Sequence, residues 1–190
     1  MTDENKLNYV DGIEIKTKLR PLRIDDLDNC MNWINDSDII GNFAHFNRTI
    51  SREEEEKVLE KMIADPNTKT YTIESKEGEY LGSVGLNKIF WPTGESTLSL
   101  IIGRKDKWGQ GYASSALMQI MDLAFNEYDL HRLEIGCFDS NKRAQKVYSR
   151  CGFIQEGTQR QKYMLREEYH DVAMMAILKQ DYVKMMEEGK

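Results

Sequence analysis

The stretch Ile101-Ile102-Gly103-Arg104-Lys105-Asp106-Lys107-Trp108-Gly109-Gln110-Gly111-Tyr112-Ala113 carries an apolar strand end through a basic, glycine-containing turn into a long helical pattern. Small residues at Gly109, Gly111 and Ala113 let the backbone approach a ligand closely. The free N–H groups of the first helical turn, backed by roughly half a positive charge of helix dipole, suit a phosphate or pyrophosphate. Arg104, Lys105 and Lys107 add positive charge in a chain that is acidic overall, so the turn reads as an anion site. Gly109-x-Gly111-x-x-Ser114 also has a weak likeness to the dinucleotide-binding fingerprint. That fingerprint closes the first strand of a βαβ unit, whereas this turn follows several strands joined by hairpins and carries Ser114 in the third small slot.

From the turn toward the C-terminus, Tyr112/Ala113, Ala116/Leu117, Ile120/Met121 and Ala124/Phe125 recur every fourth residue and predict a helix from about Gly109 to Tyr128. Leu133, Ile135 and Cys137 then predict a strand; Ala144, Val147, Tyr148 and Cys151 a helix face; and Gly152 its C-cap. A polar stretch from Gln155 to Arg160 has no clear period. The seven apolar residues Val172 to Leu178 read as a strand buried on both faces, and Lys179 to Glu188 as a terminal helix.

Toward the N-terminus, strand patterns at Tyr71–Glu74, Tyr80–Phe90 and Ser96–Ile102 are joined by turns at Lys76-Glu77-Gly78 and Pro92-Thr93-Gly94. They should therefore pair antiparallel. Ser51 and Glu54 form a capping box ahead of the stripe Val58, Leu59, Met62, Ile63. Leu27, Cys30, Met31 and Ile34 give a short helix, and Ile13, Ile15, Thr17 and Leu19 alternate as a strand that Pro21 closes. The expected class is α+β, with a mixed, mostly antiparallel sheet.

The chain has 190 residues, only three prolines and no low-complexity stretch, which predicts one domain over 1–190. Its 26 Lys+Arg against 32 Asp+Glu leave a net charge of −6, the wrong sign for a protein tracking nucleic acid or an anionic membrane. No apolar run approaches a membrane span, and the acidic start MTDENKLNYVDG is unlike a signal peptide, which points to the cytoplasm. Cys30, Cys137 and Cys151 are odd in number and widely spaced, so neither a disulfide framework nor a metal site is expected.

A second motif, Asn141-Lys142-Arg143-Ala144-Gln145-Lys146-Val147-Tyr148-Ser149-Arg150-Cys151-Gly152-Phe153, joins the first. Together they resemble the GNAT superfamily of acetyl-CoA-dependent N-acetyltransferases. The first is similar to its pyrophosphate motif Q/R-x-x-G-x-G/A, with Trp108 at the Q/R slot. WGQGYA resembles the WGKGYA variant of the branch that contains ribosomal-protein N-terminal and spermidine acetyltransferases. The second resembles N-x-x-A-x-x-x-Y-x-x-x-G-F of that branch, as do Leu19-Arg20-Pro21-Leu22 and Tyr169-His170-Asp171-Val172. The likeness sets a core of about 13–182.

The resemblance implies a sheet splayed around the cofactor, with a pantetheine arm between the strand ending at Ile102 and the strand from Leu133. Backbone groups near Ile101, Ile102 and Gly103 would pair with the arm. Lys107, Trp108, Gly109, Gln110, Gly111, Tyr112 and Ala113 would hold the pyrophosphate, with Asn141 and Arg143 further along. It implies direct attack of an amine on the acetyl-CoA thioester, with Tyr148 as general acid. The usual base slot holds Thr97, so Glu95, two residues earlier on the same face, and Glu134, opposite Leu133 and Ile135 in its strand, are the candidate bases. The expected acceptor is a peptide or protein N-terminal amine or a small amine, without nucleic acid or membrane; the alternatives are a polyamine or amino-sugar N-acetyltransferase, or a non-catalytic acyl-CoA-binding module on the same fold. Relatives of this kind are often homodimers.

Overall fold

The computed structural model describes residues 9–10, 12–41, 48–165 and 167–188; the acidic opening stretch 1–8 lies outside them. The chain order is β1 (Tyr9–Val10), β2 (Ile13–Glu14), β3 (Thr17–Pro21), α1 (Leu27–Met31), α2 (Ser37–Ile40), α3 (Arg52–Ala64), β4 (Lys69–Ser75), β5 (Tyr80–Phe90) and β6 (Glu95–Ile102). It continues with α4 (Tyr112–Asp122), β7 (Arg132–Phe138), α5 (Lys142–Arg150), β8 (Ile154–Leu165), β9 (Glu168–Leu178) and α6 (Lys179–Glu188). Seven strands form one sheet in the order β3-β4-β5-β6-β7-β9-β8. All neighbours are antiparallel except β6 and β7.

That exception shapes the molecule. The parallel ladder joins only Glu95–Thr97 to Arg132–Glu134. Beyond it, β6 stays on β5 as far as Ile102 and β7 stays on β9 as far as Phe138, so the sheet opens into a fork.

The two faces are covered differently. α4 buries Ala116, Leu117, Ile120 and Met121 against Leu81, Leu98, Leu133 and Ile135. Each large side chain so buried contributes about 1.5–3 kcal/mol. At its foot the Ser115 hydroxyl accepts the backbone N–H of Lys16 at 2.9 Å and of Thr17 at 3.1 Å. These bonds serve the break between β2 and β3, which the alternating sequence pattern had joined into one strand. The opposite face carries α1 and α3, packed through Leu22, Leu27, Cys30, Trp33, Ile34, Ile39 and Leu59.

Two sequence expectations change. The capping box is present, with Glu54 N–H donating to Ser51 Oγ and Ser51 N–H to Glu54 Oε2. The buried face of α3, however, is Glu55 and Leu59, while Val58 and Ile63 are exposed, because the helix rolls its other side onto α1. The polar stretch Gln155–Arg160 is the first half of the twelve-residue strand β8. It lies at the sheet edge exposed on both faces, so no alternation was needed.

Candidate functional site

A cavity of about 540 Å³ occupies the fork. Its walls are the end of β6, the turn before α4, the first turn of α4, the far half of β7 and one face of α5. Gly109 (φ +75°) and Gly111 (φ +87°) both adopt the left-handed region, and a Cβ on either would meet nothing within 4 Å. Glycine is therefore required here by backbone conformation, which lets the chain turn and leave the N–H groups of Tyr112 and Ala113 at the cavity.

Of the expected cofactor residues, Ile101, Ile102, Lys107, Trp108, Gly109 and Gly111 line the cavity, as do Tyr112, Ala113, Asn141 and Arg143. Two lie off its wall. Gln110 turns back to donate to the Asp106 carbonyl at 2.6 Å, and Gly103 sits under the ring of Trp33, where a Cβ would come within 2.3 Å of Cδ1.

The backbone expectation for Ile101 is corrected by register. Gly103 N–H donates to Leu81 O, and antiparallel pairs alternate. Ile101 therefore points its polar backbone at β5, while Leu100 and Ile102 present theirs to the open fork. The Ile102 carbonyl already accepts the Trp108 indole N–H at 2.9 Å.

Asn141 caps α5, its Oδ1 accepting the Ala144 N–H at 3.1 Å. Seven residues on, two helical turns, Tyr148 faces the same cavity. It is 7 % exposed, and its hydroxyl has no hydrogen-bond partner among the described residues. Burial, then the neighbouring Cys137 and Cys151, raise its pKa well above 10, so the phenol is held protonated.

The candidate bases sit apart from that wall, at the crotch of the fork. Glu134 is half-buried and accepts the Thr97 hydroxyl at 3.2 Å; Arg132 Nη2 lies 3.7 Å from its other oxygen. Glu95 is exposed at the start of β6, opposite Arg132. Arg132 spends its two hydrogen bonds on Glu156, at 2.8 and 2.5 Å.

The charge distribution differs from the sequence reading. Arg104 pairs with Asp106 and Glu79, Lys105 with Asp36 and Asp38, and Lys107 with Glu79. The turn's cations are thus met by Asp106 of the turn itself and by Glu79, Asp36 and Asp38 from elements remote in sequence. Cations unforeseen as site residues, Lys142, Lys146 and Arg150, line the cavity from α5 alongside Arg143. Their signal was legible, since 142, 146 and 150 fall four apart and Arg143 three before Lys146, on one helical face.

A forked sheet, a left-handed glycine turn opening a helix, and a buried phenol facing the gap together match an acyl-CoA site. Comparison with known proteins agrees: residues 16–154 match the acetyltransferase (GNAT) domain family. The chain belongs to the GNAT acetyltransferases.

Among curated proteins, this acetyltransferase is 26% identical over 137 residues to the spermidine N(1)-acetyltransferase of Vibrio cholerae, covering 72% of this chain and 79% of that one. It is 24% identical over 106 residues to a putative ribosomal N-acetyltransferase, YdaF, of Bacillus subtilis, covering 56% and 57%. Among solved structures it resembles spermidine N-acetyltransferase from Vibrio cholerae in complex with CoA and spermine. There the TM-score is 0.82 at 26% identity, over 88% of this chain and 98% of that chain. The acetyltransferase transfers an acetyl group from acetyl-CoA to an amine. The donor set fits that substrate: open-edge backbone for the pantetheine amides, N–H groups of α4 for the pyrophosphate, and a basic helix face beside them.

Proposed function

We propose that this acetyltransferase acetylates a small cationic primary amine of the polyamine class, with Tyr148 as general acid and Glu134 as the base at the crotch. The observation that carries the reading is the fork itself, which has on its wall a protonated phenol without a hydrogen-bond partner among the described residues, and a carboxylate where its two strands meet. Glu95, Glu134 and Glu156 gather around Arg132 and leave that end acidic, which suits a cation. The relative that binds spermine supports the same class.

The chemistry is one exchange of bonds. A lysine-like ammonium, with a pKa near 10.4, gives its proton to the Glu134 carboxylate, directly or through water. The amine nitrogen then bonds to the thioester carbonyl carbon, the C–S bond breaks, and the Tyr148 hydroxyl protonates the leaving sulfur. The second N–H proton of the new amide passes through water to the tyrosinate, while Glu134 releases the first proton to solvent. Products are the acetamide and the free thiol of CoA.

A peptide N-terminal amine is the second reading. Phe138 packs against Tyr163 and His170 at ring-centroid distances of 6.5 and 5.2 Å, an aromatic wall suited to a peptide side chain. Residues 1–190 act as one domain in this proposal. Cys30, Cys137 and Cys151 are buried and form no disulfide among the described residues, which suits a reducing cytoplasm. The long exposed edge of β8, with Ile154 and Met164 more than half exposed, suits pairing with a second copy.

The test is thiol release from acetyl-CoA over spermidine, spermine, amino sugars and short peptides. Turnover on polyamines and not on peptides is expected; the reverse selects the second reading. Tyr148→Phe should lower kcat by about 100-fold with CoA affinity unchanged, and equal turnover in that variant would remove Tyr148 from the reaction.

A further inference from the structure

Around the cavity Lys142 pairs with Asp139 and Arg150 donates to the Gly12 carbonyl, while the cations of the turn and Arg143 are held in contrasting ways. Arg104, Lys105 and Lys107 are each held in ion pairs at 2.7–3.0 Å or closer. Arg143 is different. Its guanidinium carbon lies 4.1 Å from the ring centroid of Trp108, and among the described residues it has neither an ion pair nor a hydrogen bond. Both residues line the cavity.

Trp108 is itself immobilised. Its indole N–H is bound to the Ile102 carbonyl at the end of β6, and its ring packs against the cluster of Trp33, Ile34 and Ile39 beneath α1. A guanidinium lying over an aromatic face keeps its own N–H groups in plane and available, and it loses little further freedom when an anion arrives. One side chain thus ties the strand end, the glycine turn and α5 together, and it presents to the fork a guanidinium with no ion pair among the described residues.

We infer that Trp108 is a positioning residue for the cofactor: it pre-sets Arg143 to receive a phosphate of CoA, while the ion-paired cations of the turn add little. The inference rests on the acetyl-CoA reading of the same cavity. It assigns the charged contact to α5 and makes that contact depend on an aromatic ring ahead of α4.

Calorimetric titration of the full chain with CoA tests it, using melting temperature to check that each variant is folded. Arg143→Leu should weaken CoA binding by about 10- to 30-fold, the scale of one charge-assisted contact. Trp108→Leu should lose most of the same factor, and the double variant should bind hardly worse than Arg143→Leu alone. Trp108→Phe, which keeps a ring under the guanidinium, should stay within about 3-fold of wild type. Arg104→Gln and Lys105→Met should each change affinity by less than about 2-fold. In turnover assays KM for acetyl-CoA should follow these affinities while kcat at saturation stays level. Unchanged CoA binding in Arg143→Leu, additive effects of Trp108→Leu and Arg143→Leu, or Trp108→Phe as damaged as Trp108→Leu would each overturn the inference. If Trp108→Leu does not fold, Trp108→Phe and Arg143→Leu still decide it. A wild-type chain that fails to bind CoA would instead strike the underlying reading.

Discussion

Tyr148 and Glu134 show how one side chain's environment sets its chemistry. The phenol is buried with no hydrogen-bond partner among the described residues, and burial drives its pKa above 10. It therefore keeps its proton across the neutral and mildly alkaline range, and a fall in kcat caused by its ionisation should begin only above pH 10. A pH–rate profile of wild type beside Tyr148→Phe checks this. Glu134 is oriented by the Thr97 hydroxyl. Glu134→Gln keeps the side-chain shape and removes the base, so kcat/KM for the amine should drop by about 10- to 100-fold while CoA affinity holds. The exposed Glu95, changed to Gln, should leave turnover within about 2-fold. If Glu95→Gln is the more damaging of the two, the base assignment moves to β6.

At the scale of elements, α4 begins where it does because Gly111 turns left-handed at its N-cap. Any L side chain there is strained by roughly 1–2 kcal/mol. Gly111→Ala should therefore lower the melting temperature and weaken CoA binding together, since the same turn aims the Tyr112 and Ala113 N–H groups at the cavity. Melting and calorimetry on that variant separate the outcomes: a loss of stability with unchanged affinity would mean that the turn is purely structural. Helix α5 carries its Asn141 cap and Tyr148 on its inward side and its cations on its outward side, and its residues of both kinds line the cavity.

Across the whole molecule, the helices on the second face are fastened to the sheet by one polar cluster. Asp26, just before α1, accepts both terminal nitrogens of Arg20 on β3, at 2.6 and 2.8 Å, together with the Thr72 hydroxyl on β4 and the Arg23 N–H. Burial opposes its ionisation, but these four hydrogen bonds outweigh burial and hold its pKa below 3.8. A carboxylate whose pKa is depressed on folding adds stability that is present above its unfolded value and is lost as pH falls through the folded one. Asp26→Asn should cost about 2–4 kcal/mol at pH 7. The gap to wild type should narrow below pH 3.8, and thermal melts at the two pH values measure it. A gap that is constant with pH would mean that the carboxylate's charge is not what fastens α1.

Much of this was legible in the sequence because it is local. Alternation and fourfold spacing mark the strands and α4; Gly109, Gly111 and Ala113 mark a close backbone approach to a ligand; and Ala144, Val147, Tyr148 and Cys151 mark one face of a helix. What required tertiary structure was every property that depends on a distant partner. The fork exists because β6 and β7 pair over only three residues before each follows another neighbour. The turn's cations are neutralised by Asp36, Asp38 and Glu79, contributed from elsewhere in the chain. Polar β8 is a strand only because β9 offers it a ladder. A segment's own residues determine its period and its backbone bends, whereas pairing, charge neutralisation and burial are properties of contacts, and a contact belongs to two segments at once.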